Sequence, residues 1–498
     1  MIRRSSSDDM TNKGDSTMSE TVEQSGFGRR QLFRYAGGAA VVAAVAGTGM
    51  KVLEPFSTTV SADHHLAQIL PDRYMFLGGT DGWMGLPTTP EIAPFHPDPL
   101  AVDKGPGGTD TGLTTYIFGF RNITELDGPA RAAQKEKAQH SAPLFWVNQF
   151  DPNDVTTEFV VDITNLGLAM RPDLFDAHTL HWHGFRNVIP FFDGEPTGSV
   201  SVPAGTVFRY VYRPREEGTY MYHCHVEDVE HVTMGMNGLV FVRPLQNGTT
   251  FGGFTKFLYN DGDGSTGYDR EYALHLSEVW AEAHWADAHI QLPEWSDYKA
   301  DFALLNGRTY PDTLRPNAPY PNKTTGGAWT PGDPWTKPYM PVKTNADGTL
   351  AYNPGDEHLQ YQPLSSLVQC KEGEKVALRF ANLGFKEAAM TIDGIQMRVV
   401  GRDATLMRGR DGTDTSYETN TINFNAGESF DVIIEAPPFS GANAGTGSSG
   451  NGYDVYMLYN RAFTRSSNLA DGGLGGQATE IRVFPATAPL PAQTAPNT

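Results

Sequence analysis

Cysteine is nearly absent: two residues in 498, too few for a disulfide scaffold in a chain of this length. Charge is sparse at 19% and lopsided, with 58 Asp and Glu against 38 Lys and Arg. No basic stripe or polybasic run follows residue 51, which argues against a nucleic-acid partner. Long apolar runs are missing as well. Ala36 to Met50 is only 15 residues of mostly Ala, Val and Gly, short of the roughly 20 that a membrane-spanning helix needs. The chain does have 53 Gly, 34 Pro and 39% hydrophobic residues. That is a turn-rich globular composition, not that of a coiled coil, a disordered chain or a membrane bundle. Its length allows two or three domains.

Ahead of that apolar run stands Gly28-Arg29-Arg30-Gln31-Leu32-Phe33-Arg34. Paired arginines followed by Gln-Leu-Phe resemble a twin-arginine export signal. Val60-Ser61-Ala62 offers a small-residue cleavage site before Asp63. Residues 1–62 are therefore expected to be removed. The acidic remainder is expected in the periplasm or outside the cell, without a transmembrane segment.

The remainder reads as all-β. Thr157 to Ile163, Val207 to Tyr212 and Phe430 to Ile434 are short β-branched and aromatic runs bounded by turn residues. An internal repeat sharpens the reading. Asn165-Leu166-Gly167 recurs as Asn382-Leu383-Gly384, Ala204-Gly205 as Ala426-Gly427, and Tyr220-Met221 as Tyr456-Met457. The expected organisation has an extension at 63–139 packing on a first domain at 140–243. A Gly- and Asn-rich linker at 244–268 leads to a second domain at 269–484, with a Pro-rich insertion at 314–357 and a Pro/Ala tail at 485–498. Within the linker, Asp261 to Thr266 faintly resembles a calcium loop, but no Glu matches the closing position, so a plain turn is expected.

The copies differ in histidine. The first carries His178-Thr179-Leu180-His181-Trp182-His183-Gly184, and the second Ala388-Ala389-Met390-Thr391-Ile392-Asp393-Gly394. His223-Cys224-His225 is likewise matched by Tyr459-Asn460-Arg461. Metal ligands are thus expected only in the first domain. Because side chains alternate along a strand, His181, His183, His223 and His225 gather on one face. Cys224 and His178 share the other, with His231 and Met236 following in sequence. Two His, a thiolate and a weak Met make a closed, soft site suited to copper and electron transfer rather than zinc hydrolysis. Four imidazoles opposite suit copper centres that bind dioxygen. His275, His284, His289 and His358 stand singly and are expected to be structural; Cys370 is expected to be a buried free thiol.

These motifs resemble those of the multicopper oxidases, the laccase-like family. The resemblance implies two cupredoxin-like Greek-key β-sandwich domains, with copper ligands only in the first. It implies type 1 copper at His178, Cys224, His231 and Met236, and half of a type 2/type 3 cluster at His181, His183, His223 and His225. It also implies one-electron oxidation of a small reducing substrate (a phenol, an aromatic amine or a reduced metal ion) coupled to reduction of dioxygen to water.

The chain departs from the family in two ways. His231 lies eight residues after His223 instead of six, across the acidic stretch Glu227-Asp228-Val229-Glu230. A full cluster takes four His-x-His pairs, and this chain has two. The missing imidazoles would then come from another subunit, most simply a second copy of the same domain in a homo-oligomer. A copper nitrite reductase-like enzyme and a blue-copper electron carrier remain as alternatives. The first has Asp where this chain has His181 and no His at the place of His225.

Overall fold

The computed structural model describes residues 73–87, 114–318, 353–441, 452–467 and 474–498, apart from a few single positions, with the backbone of 50–52. The expected export signal, apart from that strand, and most of the Pro-rich insertion lie outside the described residues. The described residues fall within one compact unit, Ala46–Thr498. No described helix is long and apolar enough to cross a membrane.

The first half is built from β1 (Met50–Val52), β2 (Tyr74–Met84), β3 (Thr115–Asn122), β4 (Phe145–Asn148), β5 (Phe159–Gly167), β6 (His181–His183), β7 (Thr206–Tyr212), β8 (Gly218–His223) and β9 (Asn237–Arg243). Among the described residues they form two sheets, β1-β7-β5-β2-β3 and β4-β9-β8-β6. The second half supplies β10 (Arg270–Val279), β11 (Phe302–Leu305), β12 (Val368–Lys371), β13 (Lys375–Asn382), β14 (Ala388–Ile392), β15 (Met397–Arg402), β16 (Thr405–Leu406), β17 (Tyr417–Thr419), β18 (Thr421–Phe424), β19 (Ser429–Glu435), β20 (Asp454–Asn460) and β21 (Ala478–Phe484). Its sheets run β11-β10-β13-β19-β15-β16 and β12-β21-β20-β14-β18. Short helices intervene: α1 (Gly128–Ala132), α2 (Asp228–Met234) and α3 (Ala281–Ala288).

The two halves share a common strand order, which explains the sequence repeat. β2 pairs parallel with β5 as β10 does with β13. β4 pairs parallel with β9 as β12 does with β21. The Asn-Leu-Gly motif ends β5 and β13 alike: the Asn165 carboxamide oxygen accepts the Gly167 N–H at 2.8 Å, and Asn382 accepts that of Gly384 at 3.0 Å. In each copy the side chain closes a local turn that ends the strand.

One expectation needs correction, and two further segments gain a packing role. The segment 63–139 is no extension packed from outside, because β2 lies inside the first sheet with β3 at its edge, as β10 and β11 do in the second half. β2 carries Gly78, Gly79 and Gly82 and is buried throughout. The segment 244–268 is more than a linker: Leu258, Tyr259 and Tyr268 pack against Ala377, Val400 and Ile433 of the second half. The tail is tucked in as well, with Ala495 in an apolar cluster joining Trp146, Met221 and Phe241 to Ala273 and Leu383. Asn497 exchanges two hydrogen bonds with the Ala273 backbone, at 2.7 and 3.0 Å.

Candidate metal centre

β6 is three residues long, with alternating exposure. Trp182 points into the first sandwich, stacked on Tyr212 at 4.4 Å, and this turns His181 and His183 outward together. β8 lies beside it, with His181 opposite His223 and His183 opposite Met221. The matching pair in the second half is Thr391 opposite Tyr459. The same backbone therefore carries no imidazole there.

The four outward imidazoles converge. Ring centroids lie 4.9 Å apart for His181 and His225, 5.2 Å for His181 and His223, and 5.4 Å for His223 and His225. His183 Nδ1 is 3.4 Å from His223 Nε2. His181, His183 and His223 each offer a nitrogen within 4.8 Å of the other two. Nitrogens turned away from this centre are held: the Cys224 carbonyl accepts from His223 Nδ1 at 2.8 Å, and the Asp193 carbonyl from His181 Nδ1 at 2.8 Å. Such bonds fix the ring and tautomer of a metal-bound imidazole. Burial lowers the affinity of all three rings for a proton, pushing His223 down to about 3 with the neighbouring imidazoles adding to the effect. Neutral imidazoles are the form that binds metal.

On the other side of the strand end lies a second set. The donors of His178, Cys224 and His231 come within 4.8 Å of one another, all buried. Cys224 Sγ is 3.2 Å from His231 Nδ1 and receives the Thr179 N–H at 3.4 Å. The Met236 carbonyl accepts the Cys224 N–H at 3.1 Å, which brings the buried Met236 alongside. Burial alone would push the Cys224 thiol up. The charge on His231 and the two imidazoles facing the sulfur outweigh it and hold the thiol well below its ordinary range. His231 is pushed up in turn, against its burial, by the Cys224 charge and by Asp176.

Both ring nitrogens of His178 are buried without a hydrogen bond among the described residues. Orphaned nitrogens beside a favoured thiolate are costly unless a metal completes them. Two imidazoles, a thiolate and a thioether fit copper.

The structure brings seven of the eight expected residues into these two sets, joins Met236 to Cys224 through its backbone carbonyl, and adds neighbours the motifs did not show. A Cβ on Gly79 of β2 would stand 2.5 Å from His178 Cδ2, so the imidazole lies against bare backbone. Phe118 of β3 meets the His231 ring edge-on at 5.7 Å. Asp176 Oδ2 is 3.5 Å from His231 Nε2. Asp176 stands alone two residues before His178, and no motif in the sequence marks it. The acidic insertion forms the start of α2, with Glu227 at φ 46° as its N-cap and His231 on its inner face. His231 itself is 0% exposed. Asp176 stands between its outer nitrogen and the surface. Beyond it, burial and Glu230 push the Asp287 carboxyl up to about 8, while Arg171 bonds the same side chain.

The multicopper oxidase family model matches residues 160–247, the stretch that holds both sets. Over this stretch the chain is similar to the multicopper oxidases. The chain is 24% identical over 305 residues to copper resistance protein A of Pseudomonas syringae pv. tomato, covering 54% of this chain and 39% of that one. A homologue in strain ATCC BAA-871 / DC3000 is 26% identical over 355 residues, 70% of this chain and 50% of that one. The chain thus spans about two fifths to half of these relatives' length. In fold, it is similar to the blue copper oxidase of Nitrosomonas europaea, with TM-score 0.50 and 19% identity over 82% of this chain and 86% of that one. It is also similar to the multicopper oxidase mgLAC, with TM-score 0.50 and 18% identity over 84% and 87% of the two chains. The all-β cupredoxin architecture expected from the sequence is the one found, and the donor sets beside Cys224 and on the imidazole face fit copper.

The remaining expectations lie away from the centre. His275 Nδ1 is bonded to Ser141 Oγ at 2.5 Å, His284 Nδ1 to the Tyr116 carbonyl at 2.6 Å, His289 Nδ1 to the Trp285 carbonyl at 2.7 Å, and His358 Nε2 to Asp312 at 3.0 Å. Asp261 closes its own loop by accepting the N–H groups of Asp263, Gly264 and Thr266, as in a plain turn. Cys370 is a buried free thiol, pushed up to about 12 by burial.

Proposed function

We propose that the chain is a copper-dependent oxidase. It takes electrons singly from a small reducing donor at the Cys224 site and passes them to dioxygen at the imidazole face. The observation that carries this reading is the bond from His223 Nδ1 to the Cys224 carbonyl at 2.8 Å. One residue belongs to the soft site and is tied, both covalently and by that hydrogen bond, to the other set. Copper would supply the one-electron chemistry, with four electrons and four protons taken up as one dioxygen becomes two waters.

In this reading His178, Cys224, His231 and Met236 hold type 1 copper. His181, His183, His223 and His225 hold half of the type 2/type 3 cluster. Asp176 fixes the outer nitrogen of His231, and Glu227 and Asp228 stand exposed beside it, a setting that favours cationic donors. The other imidazoles come from a second copy, because Thr391, Asp393, Tyr459 and Arg461 stand at the matching places of the second domain. A two-fold contact lets the same face meet itself. Export by the twin-arginine signal belongs to the same proposal.

The test joins metal analysis, native mass and oxygen uptake on the purified protein. More than two coppers per chain in an oligomer that reduces dioxygen to water is the expected result. One copper per chain without oxygen uptake would make the chain an electron carrier instead. A fully active monomer would remove the shared cluster while leaving the oxidase.

A further inference from the structure

The second domain carries no imidazole at the matching places, yet one of its turns touches the first domain's set. Gly427 sits in the turn entering β19, and a Cβ there would stand 2.9 Å from His183 Nε2 and 3.2 Å from its Cε1. Gly205 occupies the matching turn of the first domain. The two have nearly the same backbone, φ 79° and 78°, but a Cβ on Gly205 would meet nothing within 4 Å. The positive φ accounts for glycine at both turns. A second demand, close approach, acts only at Gly427.

The contact is fastened from several sides. The Gly427 N–H donates to the Asn382 carbonyl at 2.8 Å, which ties the turn to the end of β13. Arg186, three residues after His183, bonds Thr405 Oγ1 and reaches the Asp403 carbonyl at 3.4 Å. A Cβ on Gly218, at the start of β8, would lie 2.7 Å from Ala404 Cα, so these backbones also touch. Across the ring, His183 Nδ1 faces His223 Nε2 at 3.4 Å. The imidazole is thus held between another imidazole and the bare backbone of the second domain.

We propose that Gly427 is a positioning residue through which the ligand-free second domain orients His183 for metal. This rests on the reading of His183 as a cluster ligand. It gives the second domain a part in the centre without a ligand of its own: a rigid stop against one ring edge, since a side chain here would displace the ring from its neighbours. Small displacements of a ligand are costly because its supporting groups, as much as the ligand itself, set metal affinity.

The experiment pairs Gly427→Ala with Gly205→Ala in the full chain. Each puts a Cβ at the same φ, so both should lower the melting midpoint of the apoprotein, and Gly427→Ala by more, because its Cβ also meets His183. Only Gly427→Ala should lose copper from the imidazole face, read as copper per chain and as the type 2 EPR signal, by about 10-fold or more in affinity. The visible band of the Cys224 site should persist in both. Equal retention or equal loss of face copper in the two variants would overturn the proposal. Should Gly427→Ala fail to fold, adding His183→Ala removes the ring that the new Cβ meets and should restore folding; no restoration would overturn it too. A wild-type chain with copper at the Cys224 site alone would instead remove His183 as a ligand. The packing would then be read from the His183 imidazole NMR resonances, which should move in Gly427→Ala and stay in Gly205→Ala.

Discussion

Two segments meet at Cys224 Sγ, the Thr179 N–H before β6 and the His231 imidazole on α2, while the Met236 carbonyl holds the Cys224 N–H. A thiolate so placed gives type 1 copper its charge-transfer colour. Cys224→Ser should therefore abolish the intense visible band and the oxidase activity while leaving the circular dichroism unchanged. A variant that stays blue would refute the assignment. Cys370→Ser should keep both band and activity, because that thiol is buried in β12 far along the chain from either set. At this scale the sequence was highly legible. His-x-His pairs and a cysteine wedged between histidines are chemical signals that need no tertiary information. Asp176 was less legible, since a lone aspartate two residues before a histidine carries no such signal.

Among the elements, β2 was the least legible and lies close to the metal set. Its glycines break the pattern that marks a strand, yet Gly79 is where the backbone must pass under His178. Gly79→Ala should overpack this contact, costing about 1–3 kcal/mol and shifting or removing the visible band. An unchanged melting midpoint and spectrum would show that the imidazole has room to move. α2 is the other element that periodicity did not reveal, because seven residues are too few to show a helical period. Its acidic N-terminal end carries the exposed Glu227 and Asp228 outside the buried His231. Glu227→Gln with Asp228→Asn should raise KM for cationic donors more than for neutral phenols, and kcat should change little. Equal effects on both donor types would leave the charges without a role in selection.

For the whole molecule, burial of neutral histidines away from the metal sets sets the acid limit. Burial pushes His140 and His275 down to about 3 and His284 to about 4. Their folded forms refuse protons that the unfolded chain, with ordinary values near 6.5, accepts. The stability they allow is complete above about pH 6.5 and declines as pH falls toward 4 and 3. The apoprotein's melting midpoint should fall steadily from pH 6.5 to 4, and His140→Gln should make that slope shallower. A flat profile over the range would mean that these rings are not held neutral.

The sequence by itself determined the chemistry and the repeat. Ligand type, strand alternation and the loss of every matching histidine in the second copy are local properties, written in residue identity and spacing. Tertiary structure alone decided the rest: that the N-terminal strands belong inside the first sandwich, that His231 is covered by Asp176, and that the second domain reaches His183 through Gly427. Each of these depends on which backbones pass within a few ångströms of each other across long sequence separations. Such approaches are set by packing between sheets, and a glycine that permits one looks, in sequence, like a glycine that merely turns the chain.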